Sequence, residues 1–121
     1  MKILVVDDEP ETRSELTDYL EYKGYQVTEA ADGLEGLRKF EAAPTNAVIA
    51  DVKMPNLDGF ELLRRLRALD PRVPVIVITG HYSPVDLNMA KEFEFAVLLK
   101  KPCRLRDIAK HLKCLLEAAD A

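Results

Sequence analysis

The sequence contains no tryptophan and only two cysteines, Cys103 and Cys114, which lie eleven positions apart. That spacing matches neither a CxxC redox pair nor the ligand pattern of a structural zinc site. We therefore expect two reduced thiols without a chemical role, as is usual for proteins of the reducing cytoplasm.

Long apolar runs and basic stretches are also missing. No segment approaches the roughly 20 apolar residues that a membrane-spanning helix requires. The opening run MKILVV reaches two aspartates after six residues, which is too early for a secretory signal peptide. The net charge is −4, and the basic residues are scattered. We expect a cytoplasmic domain that binds neither membranes nor nucleic acids directly.

What remains is an ordinary globular composition. Of the 121 residues, 48% are apolar and 31% charged, a balance typical of folded soluble domains. A chain of this length can bury roughly two-thirds of its unfolded surface. Since no linker, repeat or low-complexity segment interrupts it, we expect one domain over residues 1–121, with a frayed tail at residues 118–121.

Five short runs of apolar and β-branched residues alternate with longer stretches of helical period. This alternation predicts an α/β fold in which helices cover both faces of a parallel sheet. The fourth helix is predicted to begin at Ser83-Pro84-Val85-Asp86, with a capping serine, a proline at the first helical position and an acid at the third. The predicted strands are residues 2–6, 25–30, 47–50, 75–79 and 96–99.

Carboxylates collect where two of these strands end. Asp7-Asp8-Glu9 follows the first strand and Asp51 follows the third. Parallel strands bring their carboxyl ends to one edge of the sheet, so these groups should meet there. Crowded carboxylates hold a proton or recruit a cation, and an all-oxygen set favours Mg²⁺ or Mn²⁺ over zinc. The alternative is that the acids only cap helices, but capping does not require an aspartate at the end of the third strand.

A hydroxyl and an ammonium group reach the same edge. Thr79-Gly80 ends the fourth strand, and the fifth runs into Lys101-Pro102. Either side chain alone would be unremarkable, because threonine favours strands and lysine is usually solvated. Their joint position beside the acids indicates a site that can hold phosphoryl oxygens.

Five ordered pieces of sequence share the pattern of a known family. They are Asp7-Asp8, Asp51 followed by Met54-Pro55, Asp58-Gly59, Thr79-Gly80 and Lys101-Pro102. Together they closely resemble the receiver domain of bacterial two-component response regulators, from residue 2 to about residue 116. The resemblance implies a flavodoxin-like, doubly wound sheet of five parallel strands in the order 2-1-3-4-5. It also implies a phosphoacceptor switch that assists its own phosphorylation and dephosphorylation, and not an enzyme with a separate substrate.

The resemblance also assigns roles to single residues. Asp51 would take the phosphoryl group from the phosphohistidine of a sensor histidine kinase or phosphotransfer protein. Asp8, Asp51 and the backbone carbonyl of Lys53 would ligate Mg²⁺, for which Mn²⁺ could substitute. Asp7 would contact the ion through a water molecule.

Thr79 and Lys101 would hold the phosphoryl oxygens, and the Lys101-Pro102 bond would be cis to aim the lysine inward. Lys53 and His81 resemble positions that tune the phosphoryl lifetime, although a loop histidine is more often simply solvated. The face of the fourth helix, fifth strand and fifth helix would contact an effector or an attached output domain.

The chain departs from the family pattern around its fifth strand. Leu98 stands where an aromatic residue is usual, Glu94-Phe95 replaces a Gly-Ala step, and Cys103 follows the proline where an aromatic is common. None of these positions supplies chemistry, so they concern the output. We predict that Leu98 stays in place while Thr79 and residues 80–84 carry the change, with an exposed Phe95 or Glu94 as a partner contact.

Three other functions remain as alternatives. An aspartyl phosphatase or dehalogenase resembles Asp-x-Asp, but Asp51-Val52-Lys53 lacks the second acid. A flavodoxin-like cofactor carrier should have an N–H-rich first loop, and Asp7-Asp8-Glu9 would repel its phosphate. A receiver fold that acts without phosphorylation would not need all five pieces of the pattern.

Overall fold

The computed structural model describes residues 1–81 and 83–120 as five strands alternating with five helices. Each predicted strand is present, with bounds within one residue of those expected. The elements in chain order are β1 Lys2–Val6, α1 Pro10–Tyr22, β2 Gln26–Ala30, α2 Gly33–Ala42, β3 Ala47–Asp51, α3 Gly59–Leu69, β4 Val75–Thr79, α4 Pro84–Lys91, β5 Ala96–Lys100 and α5 Leu105–Asp120.

The strands form one parallel sheet in the order β2-β1-β3-β4-β5, which confirms the predicted doubly wound topology. In chain order, β2 is added on one side of β1, whereas β3, β4 and β5 are added in turn on the other side. The strand order therefore reverses between these two neighbours, and a crevice opens beyond their carboxyl ends. Asp7 follows β1 and Asp51 ends β3, so the sequence places its carboxylates at this crevice.

Side-chain alternation along the strands builds a core on each face of the sheet. Leu4 and Val6 of β1 pack in the core under α2, α3 and α4. Ile3 and Val5 pack in the opposite core, under α1 and α5. Every residue of β3 and β4 is buried, as expected for central strands covered on both faces.

Helix caps fix the chain where it leaves three of the strands. The side chains of Asp32 and Asp58 accept hydrogen bonds from backbone amides at the starts of α2 and α3. Ser83 and Asp86 form the capping box predicted for α4. In α1, Pro10 is the first helical residue, and the side chain at the cap position accepts no hydrogen bond from a backbone amide of the helix. These caps set the helix starts around the crevice.

The C-terminal helix continues through the segment predicted to be a tail. It extends to Asp120, and the Arg72 guanidinium donates a hydrogen bond to the carbonyl of Ala119 at 2.9 Å. The frayed tail predicted at residues 118–121 is therefore helical as far as Asp120, and Ala121 lies outside the described residues. None of the described helices is long and apolar enough to cross a bilayer.

Phe95 is not the exposed contact that the sequence suggested. It is half-buried, and its ring lies 4.8 Å from the Arg72 guanidinium. Its φ of 60° is the left-handed conformation that glycine adopts most readily and that is uncommon for other residues. Glu94 is exposed as expected, while Leu98 is half-buried and packs against the core beneath α4.

Candidate functional site

Three carboxylates meet at the crevice between β1 and β3. Asp7, Asp8 and Asp51 each place one oxygen within 4.8 Å of the others. Asp7 and Asp51 are buried and Asp8 is exposed. The fold thus assembles the acidic cluster that the sequence predicted from two strand ends more than forty residues apart.

The cluster carries unfavourable negative charge. Burial raises the pKa of Asp7, and the charges of Asp51 and Asp8 raise it further. A hydrogen bond from the Glu9 amide, at 2.9 Å, opposes this rise in the pKa. A cation beside the cluster would relieve the repulsion.

The donor set fits a hard divalent ion such as Mg²⁺ because all three side chains offer oxygen. Helix capping does not account for them. The cap of α1 is Glu9, without a side-chain capping bond, and Asp51 ends a strand. Lys53 lies two residues beyond Asp51 and lines the cleft beside the cluster.

Lys101 reaches the cluster from the end of β5. Its Nζ lies 3.0 Å from Oδ1 of Asp51, and the Lys101-Pro102 bond is cis, as predicted. Burial by itself lowers the pKa of the ammonium, but the hydrogen bond and charge of Asp51 outweigh it and raise the pKa overall. The neighbouring Lys100 pairs with Thr79 in the sheet register, whereas Lys101 is the lysine that contacts Asp51.

Thr79 ends β4 beside the same cleft and bonds to its own loop. Its hydroxyl donates to the carbonyl of His81 at 2.7 Å and accepts from the amide of His81 at 3.2 Å. The loop is thus folded back on the threonine. A Cβ at Gly80 would meet nothing within 4 Å, so no neighbour crowds this turn.

These groups border one open cleft of about 660 Å³. Asp51, Thr79 and Lys101 line it together with the exposed Lys53 and His81. Asp7 instead lines an adjoining cavity of about 540 Å³, which Asp51 and Lys101 also border. At about 660 Å³, the cleft has room for a phosphoryl group beside the Asp51–Lys101 ion pair.

The segment after Asp51 holds the acceptor in place. Gly59 is required at the start of α3, since a Cβ there would lie 2.7 Å from the Asp51 carbonyl oxygen. Its amide donates to the carbonyl of Val52 at 3.0 Å. Asn56, with φ of 68°, donates to the Asp32 carboxylate at 3.2 Å and ties this segment to the start of α2. Gly59 thus shapes the loop after Asp51 by allowing this close approach.

Arg13 is a supporting residue that the sequence did not reveal. Its guanidinium donates to the backbone carbonyl of Asp7 at 2.6 Å and pairs with Glu29 at 3.0 Å. These contacts hold the turn that carries the acids. No sequence signal marks it, because an arginine in the second turn of an amphipathic helix is usually solvated.

Comparisons with known proteins agree with this geometry. Residues 3–113 match the family model of the response regulator receiver domain. The chain is 34% identical to the receiver protein CpdR of Brucella abortus, covering 98% of both chains. It is also 34% identical to the response regulator MprA of Mycobacterium avium, covering 96% of this chain and 51% of that protein. The chain spans about half or less of the length of most curated relatives it matches.

A solved structure has the same fold. The receiver domain protein from Methanospirillum hungatei superposes with a TM-score of 0.92 at 31% identity, over 98% of this chain and 95% of that one. The matched segment contains both acidic strand ends, the threonine and the lysine. The chain therefore belongs to the response regulator receiver domain family, whose members act in two-component signalling.

Proposed function

We propose that Asp51 accepts a phosphoryl group from the phosphohistidine of a sensor kinase or phosphotransfer protein, in a Mg²⁺-dependent reaction. The observation that carries this proposal is the position of the Asp51 carboxylate. It borders an open cleft, and its Oδ1 lies 3.0 Å from the Lys101 ammonium. A carboxylate that only stabilised the fold would not need an adjoining cleft of this size. The domain then acts as a cytoplasmic switch for an effector or an attached output domain.

The transfer is a displacement at phosphorus. An Asp51 oxygen forms the new P–O bond while the P–N bond breaks, and its electron pair returns to the leaving imidazole. The phosphoryl group remains negatively charged throughout. The chain therefore contributes position and charge more than proton transfer.

Two side chains hold the phosphoryl oxygens. Lys101 offers N–H donors beside Asp51, and Thr79 offers one hydroxyl proton. Asp8, Asp51 and the Lys53 carbonyl would hold Mg²⁺, which would supply positive charge against the incoming phosphoryl group. Asp7 keeps that ion site negative from its buried position.

Two features argue against turnover of a separate substrate. Lys53 stands where an aspartyl phosphatase would carry its second acid, so the general acid of that motif is missing. A bound flavin phosphate would face the repulsion of Asp7 and Asp8. Both observations favour a phosphoacceptor switch.

Intact-mass measurement after incubation with acetyl phosphate and Mg²⁺ tests the proposal. We expect one phosphoryl group on the wild-type chain and none on Asp51→Asn, since an amide is not a competent nucleophile here. Asp58→Asn is the matched control, because it makes the same chemical change on the same loop and asparagine still caps α3. The acceptor assignment is rejected if Asp51→Asn is labelled as fully as this control.

A further inference from the structure

We propose that the groove between the end of α1 and the middle of α5 binds an acidic segment of a partner protein. This groove has a volume of about 500 Å³. None of its residues lines the phosphoryl cleft, and α1 ends at the opposite edge of the sheet from the acidic cluster. The side chains that define this α1/α5 groove are Tyr19, Lys23, Tyr25, Arg106, Lys110 and Lys113.

The α1/α5 groove concentrates positive charge on a chain whose net charge is −4. Arg106, Lys110 and Lys113 follow the i, i+4, i+7 spacing that places side chains on one helix face. Like charges at this spacing cost a helix about 0.2–0.5 kcal/mol per pair. Helix stability therefore does not explain the stripe.

The positive charge is not neutralised by the described part of the chain. The ion pairs found within 4.0 Å involve other cations, such as Arg13, Lys39 and Lys101. Asp107 and Glu117 lie on the same helix, yet neither approaches a cation of the groove closely enough to pair. The groove is available to a carboxylate from outside.

Two tyrosines give the α1/α5 groove an apolar surface between its charges. Tyr19 and Tyr25 are half-buried, and Tyr25 packs against the core beneath α1 and α5. The Lys23 ammonium lies 5.6 Å from the centre of the Tyr19 ring. Fixed rings beside cations are typical anchors of protein interfaces. They suit an acidic peptide that also carries an apolar side chain.

Size and overall charge favour a peptide over a nucleic acid or a membrane. The cations surround a short concave groove, whereas a nucleic acid needs a longer basic track along its phosphates. The negative charge of the rest of the domain would repel an extended polyanion or an anionic bilayer. A short acidic segment can contact the groove without approaching that charge.

Fluorescence anisotropy with a labelled peptide of Glu-Glu-Leu repeats tests the proposal. We expect salt-sensitive binding that the matched Gln-Gln-Leu peptide does not show. The variant Lys110→Glu/Lys113→Glu should weaken binding by about tenfold or more, because two attractions become repulsions. Arg38→Glu/Lys91→Glu makes the same charge change on α2 and α4, at exposed positions on the other face, and should stay within about twofold of wild type.

Circular dichroism checks that each variant folds. If Lys110→Glu/Lys113→Glu does not fold, the neutral variant Lys110→Gln/Lys113→Gln takes its place. Equal losses in both charge-reversed variants would mean diffuse attraction and would overturn the proposal. So would unchanged binding in the groove variant, or tighter binding of an oligothymidylate or of phosphatidylglycerol vesicles than of the peptide. Asp51→Asn should bind the peptide as well as wild type, which separates this result from the outcome for phosphorylation.

Discussion

Removing the buried charge of Asp7 should stabilise the domain in the absence of divalent ions. Asp7→Asn keeps an oxygen that can accept the hydrogen bond from the Glu9 amide, while it removes one charge from the cluster. Asp7 is 8% exposed, so solvent screens its charge poorly. The variant therefore measures the combined cost of burying this charge and of placing it beside the other carboxylates.

The size of the effect follows from the distances. Two unit charges 4.8 Å apart repel by about 3 kcal/mol at an effective dielectric constant of about 20. Lys101, 3.0 Å from Asp51, offsets part of this repulsion. We expect a net gain of about 1–2 kcal/mol in the free energy of unfolding at neutral pH. That gain corresponds to a rise in melting temperature of about 5 °C for a domain of this size.

The pH dependence gives an independent check of the cause. The pKa of Asp7 in the folded state is raised above its usual 3.8. Between pH 3.8 and the raised pKa, the folded state therefore binds the Asp7 proton more tightly than the unfolded state does. Its contribution to stability therefore decreases as the pH rises from 3.8 through the raised pKa, and is constant above it. The advantage of Asp7→Asn should be absent below pH about 4 and complete at neutral pH.

Urea unfolding in EDTA at several pH values measures this difference. Asp18→Asn, at an exposed position of α1, is the control and should change stability by less than about 0.5 kcal/mol. Mg²⁺ at a hundredfold excess over its dissociation constant should stabilise wild type by about 2.7 kcal/mol and should stabilise Asp7→Asn by less. A destabilised Asp7→Asn at neutral pH, or an advantage that persists at acid pH, would refute the reasoning.

Three further outcomes are expected. Asp8→Ala should lower Mg²⁺ affinity about tenfold or more by removing a ligand, and unchanged affinity by calorimetry would reject the site. Phe95→Gly should be more stable than Phe95→Ala by about 1 kcal/mol in the free energy of unfolding measured in urea, because φ is positive at this position. The reverse order would contradict the left-handed conformation. On adding beryllofluoride and Mg²⁺, amide NMR shifts should be larger at Thr79 than at Leu98, and a larger change at Leu98 would count against a signal through β4.

The central strands of the sheet could be predicted from the sequence because they are buried on both faces. Val75 to Ile78 form an unbroken β-branched run, and such runs are short, well bounded and unlike the helical stretches around them. The acidic cluster could be predicted for a related reason. Parallel strands deliver Asp7 and Asp51 to one edge whatever the details of the packing.

Long-range contacts could not be predicted. The ring of Phe95 packs against Arg72, which precedes it by more than twenty residues, and no local pattern pairs them. The contacts of Arg13 depend on where α1 docks against β2. The sequence therefore predicted which groups meet at the crevice, whereas the contacts that support them required the structure.

The bonding of Thr79 suggests how phosphorylation would be read. Its hydroxyl has one proton, which it donates to the His81 carbonyl, so it cannot also donate to a phosphoryl oxygen. Phosphorylation would draw this hydrogen-bond donor away from the loop that leads to α4. Among the described residues of α4, only Ala90 is buried, so the helix is weakly packed. One hydrogen bond contributes only about 1 kcal/mol, which shifts a two-state equilibrium about fivefold. A loosely held α4 can respond to a bias of that size, whereas Leu98 packs against the core and should stay in place.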